Sequence, residues 1–375
     1  MVKKSRQQIV MMIKPSSSAC NLACSYCFYQ DLALKRDIPF HGFMSDEVMA
    51  SLIEKCLSEA ERCSFMFQGG EPSLIGLPFF KRFVETVNRL NETSHSIVNY
   101  AFQTNALTLD LPWAEFFKEN GFLVGVSFDG NARLHNLYRK DSKGEGTAQK
   151  VLQSISLLKE QCVDFNILSV VTPAMAENVR PMWNYLSGHG LPFLQYIPCM
   201  DPFGEEPGGT SFSLSPDSYA KFLMQLFDLW YENLAGGKGV SVRFFDNLVS
   251  MLVGFQPESC DMTGICSVQY VAESDGSIYP CDFFCVDDYC LGNILSSSIT
   301  DLDAKRKELQ FIESSPNKSL ACSTCQWEKL CRGGCKRYRN EGAYRYCTSM
   351  QQFFPYAIHR LEQVARTVRQ QINTK

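Results

Sequence analysis

Over roughly the first 200 residues, short apolar runs alternate with longer stretches whose apolar positions recur at helical spacing. The short runs predict strands at Ile9–Ile13, Ser64–Gln68, Ile97–Gln103, Leu123–Phe128, Phe165–Val171 and Phe193–Ile197. Between them the pattern predicts helices at Asp46–Ala60, Phe79–Leu90, Trp113–Asn120, Thr147–Glu160 and Glu177–Gly188. Ser45 can cap the first helix, and Gly121 and Gly190 stand where helices stop. Strands and helices in this alternation form parallel βαβ units. There are about six, fewer than the eight of a closed barrel. The expected class is therefore α/β, with a partial (β/α)6 barrel.

Polar, glycine-bearing segments follow the strands: Gly69–Pro72, Thr104–Asn105, Asp129–Gly130 and Thr172–Pro173. Such residues suit tight turns, and this edge of a parallel sheet is also where ligands bind. A loop rich in Gly, Pro and Ser, Asp201–Pro216, then marks a change of character. Helical patterns follow at Asp217–Asn233 and Phe244–Val253, then a cysteine-rich stretch from Cys260 to Cys347, with a helix expected from Tyr346 onward. The expected domains are residues 1–240 and 241–375.

Composition narrows the function. The chain has 375 residues, 45% of them hydrophobic, enough for a sizeable core. Its net charge of −4 gives no general attraction for nucleic acid or an anionic membrane. The run Ile9–Ile13 is too short for a signal-peptide core. No stretch reaches the roughly 20 apolar residues that span a bilayer. A cytoplasmic protein is expected, with no nucleic-acid and no membrane partner. There, seventeen cysteines argue for metal binding over disulfides. Eleven fall into two spaced groups; Cys56, Cys63, Cys162, Cys199, Cys285 and Cys290 read as small buried hydrophobes. The histidines show no metal-ligand spacing.

Cys20, Cys24 and Cys27 form C-x3-C-x2-C after the first strand. Three thiolates are one short of the four that ordinarily hold a [4Fe–4S] cluster, so one iron would stay open. A closed zinc site would need a fourth ligand, and none stands nearby at conventional spacing. With Tyr26, Phe28 and Tyr29 the motif resembles the signature of the radical S-adenosylmethionine superfamily, in which the open iron chelates the cofactor and the cluster's electron releases a 5′-deoxyadenosyl radical. The resemblance extends to Gly69-Gly70-Glu71-Pro72, similar to the superfamily's turn for the methionine amine. It further implies that Ser127 and Arg139 hold polar groups of S-adenosyl-L-methionine, and that Tyr26 and Met200 lie against its adenosine.

The second group comprises Cys260, Cys266, Cys281, then Cys322-x2-Cys325-x5-Cys331-x3-Cys335, and Cys347. Eight thiolates suffice for two [4Fe–4S] clusters or for two zinc sites. The pattern resembles the SPASM extension, an iron–sulfur domain behind some radical S-adenosylmethionine domains. That resemblance implies Cys260, Cys266, Cys281 and Cys335 on one auxiliary cluster, and Cys322, Cys325, Cys331 and Cys347 on the other, making three [4Fe–4S] clusters in all. The interleaved Arg332, Lys336, Arg337 and Arg339 suggest a solvated or cluster-facing basic surface, with no nucleic-acid motif beside them.

Over essentially the whole chain the narrower resemblance is to the anaerobic sulfatase-maturating enzymes. It is carried by Tyr29, by Phe67-Gln68-Gly69-Gly70-Glu71-Pro72 and by Tyr279-Pro280-Cys281-Asp282-Phe283. It implies a post-translational oxidation of cysteine or serine in a sulfatase polypeptide to Cα-formylglycine. The adenosyl radical would take a hydrogen from the β-carbon, Asp282 would accept a proton, and the auxiliary clusters would accept an electron. Tyr29 and Gln68 match positions lining the family's substrate pocket, and an electron donor such as flavodoxin or ferredoxin is implied. Two other readings stand beside this one: another peptide maturation such as thioether cross-linking, or a noncatalytic zinc or electron-transfer scaffold.

Overall fold

The computed structural model describes residues 4–373. Along the first part of the chain the elements are β1 (Arg6–Ile13), α1 (Phe28–Leu34), α2 (Asp46–Glu59), β2 (Ala60–Phe67), α3 (Leu77–Ser94), β3 (Ile97–Thr104), α4 (Leu111–Glu119), β4 (Phe122–Ser127), α5 (Ala132–Tyr138) and α6 (Ala148–Glu160). They continue with β5 (Phe165–Val171), α7 (Pro173–Ala176), α8 (Val179–Gly188), β6 (Phe193–Pro198), α9 (Pro216–Ala235), β7 (Ser241–Val242) and α10 (Arg243–Val253). All six expected strands are present. Then come β8 (Tyr270–Ala272), β9 (Ser277–Tyr279), β10 (Gly292–Asn293), α11 (Ile299–Glu308), α12 (Glu328–Cys331) and the long α13 (Cys347–Asn373).

Local chemistry sets the boundaries. Ser45 caps α2 by accepting from Val48 N at 3.2 Å, with Asp46 and Glu47 at the positive end of the helix dipole. Gly121 and Gly190, at φ +64° and +59°, take up the left-handed conformation just past α4 and α8.

The chain folds into two compact units. One takes the chain up to Phe128, His135–Asn166 and Val268–Phe311; the other takes Asp129–Leu134, Ile167–Ser267 and the chain from Ile312. Within the first, β1 to β4 pair in parallel and in order. β8 pairs parallel to β1 on its other side, and β9 and β10 continue antiparallel. The cysteine-rich stretch, for which the sequence pattern predicted no strand, thus contributes three strands to this sheet. Between β2–β4 and their helices lies an aromatic core of Phe65, Phe67, Phe80, Phe83, Phe102 and Phe117, with Phe67 and Phe83 centred 4.9 Å apart edge to face. Each such side chain contributes about 1.5–3 kcal/mol on burial, giving β1–β4 a rigid backing. Within the second unit β5, β6 and β7 pair in parallel.

The cap makes a direct stability prediction. Ser45→Ala should lower unfolding free energy by about 1 kcal/mol, read as a lower midpoint in a denaturant titration; an unchanged midpoint would contradict the capping role.

Candidate active site

Strand register is the first determinant. Ile13 lies level with Phe67 on β2 and with Ala272 on β8. The next residues, Lys14, Gln68 and Glu273, therefore leave the sheet abreast at its C-terminal edge. Backbone bonds hold them there: Lys14 N donates to Ala272 O at 2.8 Å and Gln68 N to Ile13 O at 3.0 Å.

Beyond Lys14 the chain enters the loop that carries Cys20, Cys24 and Cys27. Cys27 caps α1, its sulfur accepting from Gln30 N. Ala23 N donates to Lys140 O at 2.8 Å, and Leu22 bridges Asp141, so the loop is pinned from α5's far side. Cys20 is exposed on its loop, but desolvation by the surrounding chain pushes the thiol up to about 12, with Glu71, Cys24 and Cys27 adding to the rise. Thiolate is the donor iron–sulfur clusters use, and one short loop supplies three cysteines. The donor set thus fits a cluster. Among the described residues no three Cys, His, Asp or Glu side chains are gathered as a single metal ion requires.

The Gly69–Pro72 turn packs directly on this loop. A Cβ at Gly70, at φ +49°, would meet the Ala19 carbonyl oxygen at 2.2 Å, and one at Gly69 would meet the Lys14 stem at 2.6 Å. Only glycine allows either approach. Glu71 N then donates to Ala19 O at 2.8 Å. The buried Glu71 carboxyl is pushed up by desolvation, which its hydrogen bonds oppose. It accepts from Ser73 N and Oγ, from Thr104 Oγ1 at 2.8 Å and from Asn105 N at 2.7 Å. Asn105 in turn donates to Asn21 at 2.7 Å and lies 3.7 Å from the Cys20 sulfur. The ends of β2 and β3 are thereby tied to the cysteine loop.

Asp282, the first residue of a single 3-10 turn (Asp282–Phe284) after β9, is 5% exposed. Its Oδ1 pairs with the Lys14 ammonium, and its Oδ2 accepts from Gln68 Nε2 at 2.6 Å. The ammonium also sits 3.8 Å from the centre of the Tyr29 ring. Tyr29 donates its phenol proton to Glu273, which receives Arg36 at 2.7 Å. Burial opposes the Lys14 charge, but Asp282, Cys285 and Glu273 outweigh it and raise the ammonium above its ordinary range. Burial also holds the Tyr29 phenol well above its usual range, reinforced by Glu273, so it stays a donor. Asp282, Gln68 and Tyr29, singled out separately in the sequence, thus meet at one buried ammonium.

Of the other predicted residues, Tyr26 and Arg139 are buried neighbours, the guanidinium 5.5 Å from the ring centre. Half-buried Ser127 accepts from Gln103 at 2.9 Å. Met200 is buried in the second unit. There Cys335 is pushed up to about 12, first by burial and then by Cys260, Asp261 and Cys266; Cys331 is raised to about 11 by burial and by Cys347, Cys322 and Cys325. Of the interleaved cations, Arg339 donates to Gly333 O at 2.7 Å and Arg337 to Asp201 O at 2.7 Å, so both fasten loops. Cys56, Cys63, Cys199 and Cys285 are buried as expected, whereas Cys162 is exposed, placed by a left-handed turn after α6.

Sequence reasoning missed Lys14, Arg36, Asn105 as a tie, and Glu273. A charge after an apolar run reads as a solvated strand end, and nothing local marks it as buried.

Three cysteines and a Gly-Gly-Glu-Pro turn thus stand together at the C-terminal edge of a parallel sheet, the features on which the resemblance to the radical S-adenosylmethionine superfamily rests. Residues 15–179 match the radical SAM superfamily, and residues 265–326 match SPASM, an iron–sulfur cluster-binding domain. A cysteine-type anaerobic sulfatase-maturating enzyme of Clostridium perfringens is 45% identical over 367 residues, covering 96% of this chain and 99% of that one. A serine-type enzyme of Bacteroides thetaiotaomicron is 31% identical, covering 88% and 83%. The solved structure of native anSMEcpe with bound AdoMet and Cp18Cys peptide superposes with a TM-score of 0.91 at 42% identity, covering 96% of this chain and 99% of that one. The chain belongs to the anaerobic sulfatase-maturating enzymes, and it is an oxidoreductase with the α/β radical SAM fold and a SPASM domain. Among the described residues no helix is long and apolar enough to cross a membrane.

The buried Arg36–Glu273 pair, both side chains fully covered, makes a prediction. Glu273→Ala should cost about 3–5 kcal/mol by stranding the guanidinium, while an Arg36→Met/Glu273→Leu double variant should recover part of it, the Tyr29 hydroxyl still losing its acceptor. Denaturant titration reads both; equal losses would contradict the account.

Proposed function

We propose that this protein oxidises a cysteine side chain of a sulfatase polypeptide to Cα-formylglycine. The observation that carries the reading is the Asp282 carboxylate, held between Lys14 and Gln68, in a chain with near full-length kinship to cysteine-type enzymes. We assign Cys20, Cys24 and Cys27 to the radical-initiating cluster, and Tyr26, Gly69, Gly70, Glu71, Ser127, Arg139 and Met200 to S-adenosyl-L-methionine. The auxiliary clusters take Cys260, Cys266, Cys281 and Cys335, and Cys322, Cys325, Cys331 and Cys347. The grouping of Cys335 with Cys260 and Cys266, and of Cys331 with Cys322, Cys325 and Cys347, in their mutual electrostatics supports that division. Residues 1–240 and 241–375 are the corresponding functional halves, the protein works in the cytoplasm, and a flavodoxin or ferredoxin supplies electrons.

When bound, the cofactor and its clusters supply a radical that removes hydrogen from the target β-carbon and a sink for the second electron. The chain's own part is proton handling. Asp282 accepts the thiol proton through Oδ2, the oxygen Gln68 shares. Gln68 is half-exposed, so a substrate thiol can take its place or sit beside it. Tyr29 stays protonated and keeps the ammonium over its ring.

Reconstituted protein given reductant, cofactor and a cysteine-bearing sulfatase peptide should yield an aldehyde peptide and 5′-deoxyadenosine, seen by mass spectrometry. A thioether product would replace this reading with cross-linking, and zinc without iron or cofactor cleavage would replace it with a scaffold. Asp282→Asn should cut turnover by at least about 100-fold while iron content persists; wild-type turnover would remove Asp282 as the base.

A further inference from the structure

We infer that Lys14 is a positioning residue for this oxidation, fixing the Asp282 carboxylate so that Oδ2 alone receives the substrate proton. The inference rests on the formylglycine reading and assigns a residue to its acid–base step. Lys14 is 0% exposed, and burying a charge is a desolvation cost that apolar packing would avoid. The fold nonetheless builds a place for it. Gly69 leaves room for its stem, since a Cβ there would lie 2.6 Å from Cγ. The Tyr29 ring lies under its ammonium, and Tyr29 is itself held by Glu273, which Arg36 fixes in turn. The ammonium therefore has one orientation, and Asp282 Oδ1 is bound to it.

The two carboxylate oxygens are thus unequal. Oδ1 faces a cation with no exposure, whereas Oδ2 faces the half-exposed amide of Gln68. An exchangeable amide partner can give way to a thiol; a buried ammonium cannot. Without Lys14 the carboxylate can rotate about its last bond, and Oδ2 loses its fixed place. Misplacement on the scale of an ångström costs on the order of 100-fold in a proton-transfer step.

The test compares Lys14→Met, which keeps the stem's length without charge, with Lys14→Arg, which keeps charge with altered reach. Both are made in the full chain, reconstituted with iron and sulfide. Three quantities are read: iron per chain, peptide KM, and aldehyde formed per 5′-deoxyadenosine released. K14M should hold its iron and keep KM within about threefold, while aldehyde per 5′-deoxyadenosine falls on the order of 100-fold; K14R should recover part of that ratio. A K14M variant with the wild-type ratio overturns the inference. So does loss of iron in both variants alongside lost product, which would make Lys14 structural. A wild type that makes no aldehyde instead removes the formylglycine reading itself, and this inference with it.

Discussion

The buried ammonium of Lys14 is the interaction around which the site is arranged. It exists because β1, β2 and β8 end level, so that three consecutive strand ends deliver Lys14, Gln68 and Glu273 side by side. A one-residue slip of either pairing would turn these side chains to the other face. Charges placed there cannot reach water and must find one another. Asp282 and Glu273 meet that demand for Lys14 and Arg36, and Tyr29 links the two pairs.

β1 also connects the buried charge pair to the cysteine loop. Its last apolar residue leads into Lys14, which pairs with Asp282, and six residues later the same loop presents Cys20. The glycine turn after β2 presses on that loop through Ala19 and on Lys14 through its stem. Glu71 and Asn105 then fasten the ends of β2 and β3 to it. In the function proposed above, radical initiation and proton acceptance share one sheet edge backed by the aromatic core, the kind of rigid support a precise site needs.

Much of this was legible in the sequence, for physical reasons. The strands of β1–β6 and most helices show because their apolar periods are regular, and the cysteine spacing, the Gly-Gly-Glu-Pro turn and Asp282 show because their chemistry is local. β8 and β9 escaped because three-residue strands carry no period. α11 escaped because its sequence, ITDLDAKRKE, is mostly polar and is held by the Ser298–Asp301 capping box more than by an apolar face. Lys14, Arg36 and Glu273 escaped because their partners lie 237 to 268 residues away. Only the fold shows that these charges are buried and paired.

A crystal structure of the iron-loaded protein with S-adenosyl-L-methionine and a cysteine-bearing sulfatase peptide tests the central claim most directly. The account predicts the target sulfur within about 3.5 Å of Asp282 Oδ2, with Lys14 still on Oδ1. A target sulfur bound away from Asp282, or Lys14 swung off the carboxylate in the complex, would contradict it.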